Sequence, residues 1–123
     1  MNGKEILVDT YIFLYLLKGN DTLAEMLQGK NIYISFITEL ELMGFKNITL
    51  KEEKQITALL NDCLVIPLNN EIKEKYVAVR RKYYLKLADA IIAATAIATD
   101  IPLITADKQF KTVEELKIVT YEL

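Results

Sequence analysis

Four carboxylates stand where an acid is costly or oddly placed. Asp9 ends the apolar run Ile6-Leu7-Val8, and Glu41 lies shortly after Ile32-Tyr33-Ile34. Asp89 heads an almost wholly apolar segment, and Asp107 follows Pro102-Leu103-Ile104-Thr105. If the apolar runs are parallel strands, their ends converge on one crevice. Carboxylates gathered there repel one another unless protons or hard cations intervene. The simplest chemistry for such a cluster is to hold divalent metal. With 0 His and a lone Cys63, imidazole zinc sites, His general bases and Ser-His triads are all excluded. Oxygen-only donors point to Mg²⁺ or Mn²⁺.

Each acid also has a structural explanation. Asp9 could simply close its strand or cap the next helix, although Thr10 is placed to do the capping instead. Glu41 shares a helical face with Ile37, Leu40 and Gly44, which predicts partial burial; the alternative is an exposed Glu on an imperfectly amphipathic helix. Asp89 carries the strongest physical argument. The segment Ala88 to Ala98 is apolar all round and should be buried, so an ionised carboxylate there costs several kcal/mol, roughly, unless paired or metal-bound. Relief from the helix dipole, about 0.3–1 kcal/mol, does not match that cost. The competing explanation is an ion pair with Arg80, Arg81, Lys82 or Lys86. Asp107 could cap a short turn over Lys108 to Lys111.

The elements that must position these acids alternate. Glu5 to Val8 reads as a short strand, followed by a helix to about Lys18 that Gly19-Asn20 closes. Asp21 can cap a second helix ending near Gln28-Gly29. Ile32 to Ser35 is the next strand, and Thr38 to about Phe45 looks helical. Thr49-Leu50-Lys51-Glu52 has capping-box spacing and predicts a helix to about Asp62. Leu64 to Leu68 is a third strand. Asn69-Asn70 can cap a helix through the Tyr76 to Tyr84 region, and Ala88 to Thr99 is another helix. Leu103 to Thr105 and Ile118 to Thr120 supply the last strands. Short strands, apolar on both faces and alternating with helices, indicate a three-layer α/β/α sandwich with a short, mainly parallel sheet.

The 123 residues suit one domain, expected over residues 1–123. No low-complexity stretch, linker or repeat interrupts it. Net charge is −2, which counts mildly against a general nucleic-acid binder but leaves room for a local basic face. A lone Cys63 forms no intramolecular disulfide and suits a reducing compartment. Neither a signal peptide nor an apolar run near the ~20 residues of a spanning helix is visible, so a cytoplasmic protein without membrane attachment is expected.

Taken together and in order, several segments resemble the PIN-domain ribonucleases, particularly the toxin component of VapBC-type toxin–antitoxin pairs. They are Leu7-Val8-Asp9-Thr10, Ile34-Ser35-Phe36-Ile37-Thr38 leading to Glu41-Leu42, Leu87-Ala88-Asp89-Ala90-Ile91-Ile92-Ala93-Ala94-Thr95-Ala96, and Pro102-Leu103-Ile104-Thr105-Ala106-Asp107. The resemblance implies that Asp9, Glu41, Asp89 and Asp107 form an acidic quartet holding Mg²⁺ or Mn²⁺ for hydrolysis of RNA phosphodiester bonds. It also implies that Thr105 supports the site, that the protein is a homodimer, and that a cognate antitoxin docks across the groove. One position departs: family members commonly carry Asn or Ser after Asp-Thr, and this chain has Tyr11.

Lys73, Lys75, Arg80, Arg81, Lys82 and Lys86 form the densest basic stretch, and Arg80, Arg81 and Lys82 are the candidates for RNA phosphate contacts. Two other functions stay open. A catalytically weak PIN-like domain that binds RNA or protein would suit Tyr11. A receiver-like phosphoacceptor module would suit Thr105 and Lys108, although it expects paired acids after the first strand.

Overall fold

The computed structural model describes residues 4–121. Residues 1–3 and 122–123, the two ends of the domain expected over 1–123, lie outside the described residues. Five strands alternate with six helices: β1 (Glu5–Val8), α1 (Thr10–Leu17), α2 (Asp21–Leu27), β2 (Asn31–Ser35), α3 (Phe36–Met43), α4 (Leu50–Asn61), β3 (Leu64–Ile66), α5 (Asn70–Lys82), α6 (Leu87–Thr99), β4 (Leu103–Thr105) and β5 (Ile118–Thr120). A 3-10 turn over Lys108–Thr112 follows β4. Among the described residues no helix is long and apolar enough to cross a membrane.

Every strand pairing is parallel, in the order β3-β2-β1-β4-β5. This bears out the α/β/α expectation. It also separates the chain from the receiver-like arrangement, whose doubly wound sheet runs 2-1-3-4-5. The side-chain period of two distributes each strand between two cores. Ile6 and Val8 of β1 and Ile104 of β4 join Phe13 and Leu42 on one face. Leu7 and Leu103, the alternating residues, join Val79, Ala93 and Phe110 on the other. Both faces are covered, so the central strands need apolar residues at every position.

Helix starts follow the capping rules, with two corrections to the residue that caps and one to where a helix begins. Asp9, not Thr10, caps α1: its side chain accepts a hydrogen bond from the Ile12 amide. Asn20, not Asp21, caps α2. Ser35 caps α3, which starts at Phe36 rather than Thr38 because the chain turns directly from strand to helix without a loop. The capping box at Thr49 and Glu52 forms as its spacing predicts. Asn69 caps α5 by accepting from the Ile72 amide at 2.8 Å. Asn69→Ala leaves that amide without its partner and is expected to lower stability by about 1 kcal/mol. Urea unfolding would show this as a lower midpoint at unchanged slope.

The α6 register is the one that matters for chemistry. From Ala88 to Thr99 no residue is exposed, and Ala90 and Ile92 to Ala96 are fully buried. Small side chains at Ala90, Ala93 and Ala96 let α6 lie close against α5, with which it packs extensively. α6 ends at Asp100, whose left-handed φ of 56° terminates the helix. The Asp100 side chain is held there by Lys117 at 2.7 Å.

Candidate active site

The tight turn from β1 into α1 positions Asp9. Its Oδ1 accepts from the Ile12 amide at 2.8 Å, and its Oδ2 accepts from the Thr105 hydroxyl at the end of the neighbouring strand β4. The residue is only 3% exposed. Burial pushes its pKa up to about 6; the bonds from Thr105 and Ile12 pull the other way, and the charges of Asp107 and Asp89 add to the rise. Asp9 therefore performs the capping role and is also a desolvated carboxylate facing other acids. One hydrogen bond per oxygen leaves lone pairs for a cation.

Thr105 ties two of the acids together. Besides donating to Asp9, its oxygen accepts from the Asp107 amide at 3.0 Å. Asp107 in turn caps the 3-10 turn, with Oδ1 accepting from Gln109 at 2.9 Å. The capping explanation thus holds for Asp107 as well, without occupying its second oxygen.

Asp89 sits half-buried in the first turn of α6. Its pKa is raised by burial first, then by the charges of Asp107 and Glu41; Lys86 opposes the shift. Among the described residues Asp89 has no ion-pair partner, which leaves the proposed pairing with Arg80, Arg81, Lys82 or Lys86 unformed. The helix is buried as expected, and its acid, in the first turn, is half-buried.

Glu41 requires a correction. It is exposed, as are Leu40 and Gly44, while α3 turns Thr38 and Leu42 inward. Of the face that includes Glu41, only Ile37 is partly buried, packed against the second core, while Leu40 and Gly44 are exposed with Glu41. Glu41 is nevertheless held in place: the Thr10 hydroxyl donates to its Oε1 at 2.6 Å, and the Thr10 oxygen can accept from the Thr38 hydroxyl 3.1 Å away.

The four acids form one electrostatic neighbourhood. Asp9 feels Asp107 and Asp89, and Asp89 feels Asp107 and Glu41. A cavity of about 130 Å³ is lined by Asp9, Glu41 and Asp89 together with Thr10, Tyr11 and Phe45. Tyr11 is 65% exposed at its rim and does not fill it. Among the described residues no three acids are already gathered at ligating distance of a common point. Mutual repulsion works against such a cage until a cation arrives to offset it. The donor chemistry fits a hard divalent ion: carboxylate oxygens, with Asp9 desolvated at the centre and, among the described residues, no cation paired to Asp89.

Several contributors escaped the sequence reading. Thr10 and Thr38 orient Glu41, and the only signal for Thr10 was its position next to Asp9. Lys108 and Lys111 line a second cavity, beside Asp107, together with Thr105. The basic residues singled out instead lie on the exposed last turn of α5. Of these, Lys82 is drawn to Glu114 and Glu115, each at 4.0 Å.

Comparison with known proteins bears on this geometry. Residues 6–116 match the PIN domain family. A toxin–antitoxin complex from Klebsiella pneumoniae contains a chain 34% identical to this one, with a TM-score of 0.81, covering 96% of this chain and 99% of that one. VapBC2 from Rickettsia felis, bound to a promoter DNA fragment, superposes with a TM-score of 0.84 at 21% identity, over 96% and 99% of the two chains. DNA-bound VapBC from Salmonella typhimurium does so with a TM-score of 0.80 at 16% identity, over 94% and 97%. No curated protein sequence matches. This chain belongs to the PIN domain family, and its fold is the one found in VapBC toxin–antitoxin proteins.

Proposed function

We propose that this chain is a Mg²⁺- or Mn²⁺-dependent endoribonuclease, the toxin of a type II toxin–antitoxin pair. The family is typically one of nucleases, and the relative at 34% identity belongs to a toxin–antitoxin complex. The observation that carries the proposal is Asp9: a carboxylate 3% exposed, capping a helix, with two further acids within electrostatic reach. Structural capping alone does not require acids to be crowded in this way.

Asp9, Asp89 and Asp107 would hold the cation directly or through water, and Glu41 would orient water or share a second ion. When bound, the cation supplies Lewis acidity, making water acidic enough to attack phosphorus and offsetting charge on the phosphoryl oxygens. Thr105 fixes the Asp9 carboxylate and, through the Asp107 amide, the start of the next turn. Thr10 keeps Glu41 at the rim. Arg80 and Arg81 are proposed as outlying phosphate contacts, with Lys82 shared with Glu114 and Glu115. A cognate antitoxin, a homodimer and a cytoplasmic site of action complete the proposal.

The test is RNA cleavage by the purified chain with Mg²⁺ or Mn²⁺ and with EDTA. Cleavage that appears with metal and vanishes with EDTA is expected. Metal binding without any cleavage would favour the second reading, a catalytically weak RNA- or protein-binding domain, for which Tyr11 at the rim is the one specific observation. Activity that survives EDTA would overturn the carboxylate–metal mechanism.

A further inference from the structure

The second cavity adjoins the carboxylates and has the opposite character. It measures about 360 Å³, within the range of roughly 300–1,000 Å³ typical of small-ligand sites, and it opens beyond the ends of β4 and β5. Its lining residues include Lys108, Lys111 and Thr120, and it meets the acid cluster at Asp107 and at Thr105, whose hydroxyl donates to Asp9. Asp107 is the only acid among these lining residues.

Two features make the lysine pair a built arrangement. In a 3-10 helix, residues three apart eclipse one another, so Lys108 and Lys111 project from the same side of the turn. The turn is anchored by Phe110, 1% exposed, and by Val113, 2% exposed, both in the core. Among the described residues neither Lys108 nor Lys111 has an ion-pair partner, whereas Lys82 and Lys117 each face an acid.

We propose that Lys108 and Lys111 form a phosphate subsite for the backbone of a single-stranded RNA, seating a phosphate next to the one held at the carboxylates. The inference rests on the nuclease reading above and adds the side of the site on which the strand continues. A strand crossing four acids needs cations close by, and this pair stands one residue beyond Asp107 rather than a helix away. Thr120 adds a hydroxyl donor to the same anion.

The experiment measures binding of a fluorescein-labelled, mixed-sequence single-stranded RNA at several salt concentrations. Asp89→Asn serves as the non-cleaving background in Mg²⁺. Each phosphate contact on a single strand contributes about 0.7 to the slope of log K against log salt. Adding Lys108→Ala and Lys111→Ala is expected to lower that slope by about 1.4. Removing Lys51 and Lys54, exposed on α4, is the charge-matched control expected to leave it unchanged. In the cleaving protein, loss of the lysine pair is expected to raise KM about tenfold or more at nearly constant kcat. A slope unchanged by loss of the pair overturns the subsite and hands the lysines to an acidic protein partner. If the unsubstituted chain cleaves no RNA, the nuclease reading fails while the salt slope still decides the subsite.

Discussion

Asp9→Asn is expected to lower metal-dependent RNA cleavage by well over about a hundredfold and, at the same time, to stabilise the metal-free protein at pH 7. The first effect follows from the proposed role: changes to residues that merely support a metal ligand already cost roughly 10–100-fold. The second follows from the burial of Asp9. Its pKa of about 6, against 3.8 unperturbed, means that ionising Asp9 costs more in the folded protein than in the unfolded chain. At about 1.4 kcal/mol per pKa unit, the strain approaches about 3 kcal/mol at neutral pH. Asn remains a good helix cap and can keep the bond from Ile12. Its amide fits the Thr105 hydroxyl less well, so a net gain of about 1–2 kcal/mol is expected, several degrees in melting temperature. A variant both inactive and destabilised would instead mark Asp9 as purely structural. Opposite movement of activity and stability is the signature of an acid placed for function.

The pH dependence of the unsubstituted, metal-free protein is the second large effect. A carboxylate raised in the folded state binds a proton there that the unfolded chain has already released. Between about 3.8 and about 6 the folded form therefore holds more protons, and stability falls as pH rises through that window. The Asp9 contribution is fully present below pH 3.8 and lost above about 6, an amplitude of about 3 kcal/mol. Asp89 is shifted in the same direction and adds to the fall. Glu52 and Glu115 are shifted the other way by local hydrogen bonds, but both are on the surface. Thermal melts in EDTA should thus show higher stability near pH 5 than near pH 7. Mg²⁺ should reverse this, because the cation binds the deprotonated carboxylates; at a hundred times its Kd it restores about 2.7 kcal/mol. A metal-induced shift that does not grow from pH 5 to pH 7 would contradict the assignment.

Much of this was legible before any coordinates. The strands announced themselves as short apolar runs bounded by turn residues, and α6 by its unbroken apolar composition. Both signals are local, and tertiary packing did not overrule them. Asp9 and Asp89 were conspicuous because an acid next to such runs is costly. What failed depended on distances in space. Whether Asp9 or Thr10 capped α1 could not be settled from adjacency; the decision came from Thr105, on the neighbouring strand, and from Glu41, which claimed the Thr10 hydroxyl. The exposure of Glu41 depended on which face of α3 turns inward, and the core takes Thr38 and Leu42 instead. Lys108 and Lys111 were overlooked because two isolated lysines are a weaker signal than the run from Arg80 to Lys82. Only the 3-10 geometry, with its threefold period, places them side by side.

The bond between Thr105 and Asp9 also joins residues 96 positions apart in the chain. β1, in the middle of the sheet, is likewise bordered by β4 on one side. On a ribosome adding roughly 5–20 residues per second, some 5–20 s separate the appearance of these two residues. During that interval the first strand has no neighbour on one flank, and its aspartate has no hydroxyl to hold it. A nascent or truncated chain that lacks β4 therefore carries every acid but one and still has no assembled centre. For a protein proposed to attack the cell's own RNA, this order of assembly postpones the hazard until β4 has been made and has docked beside β1.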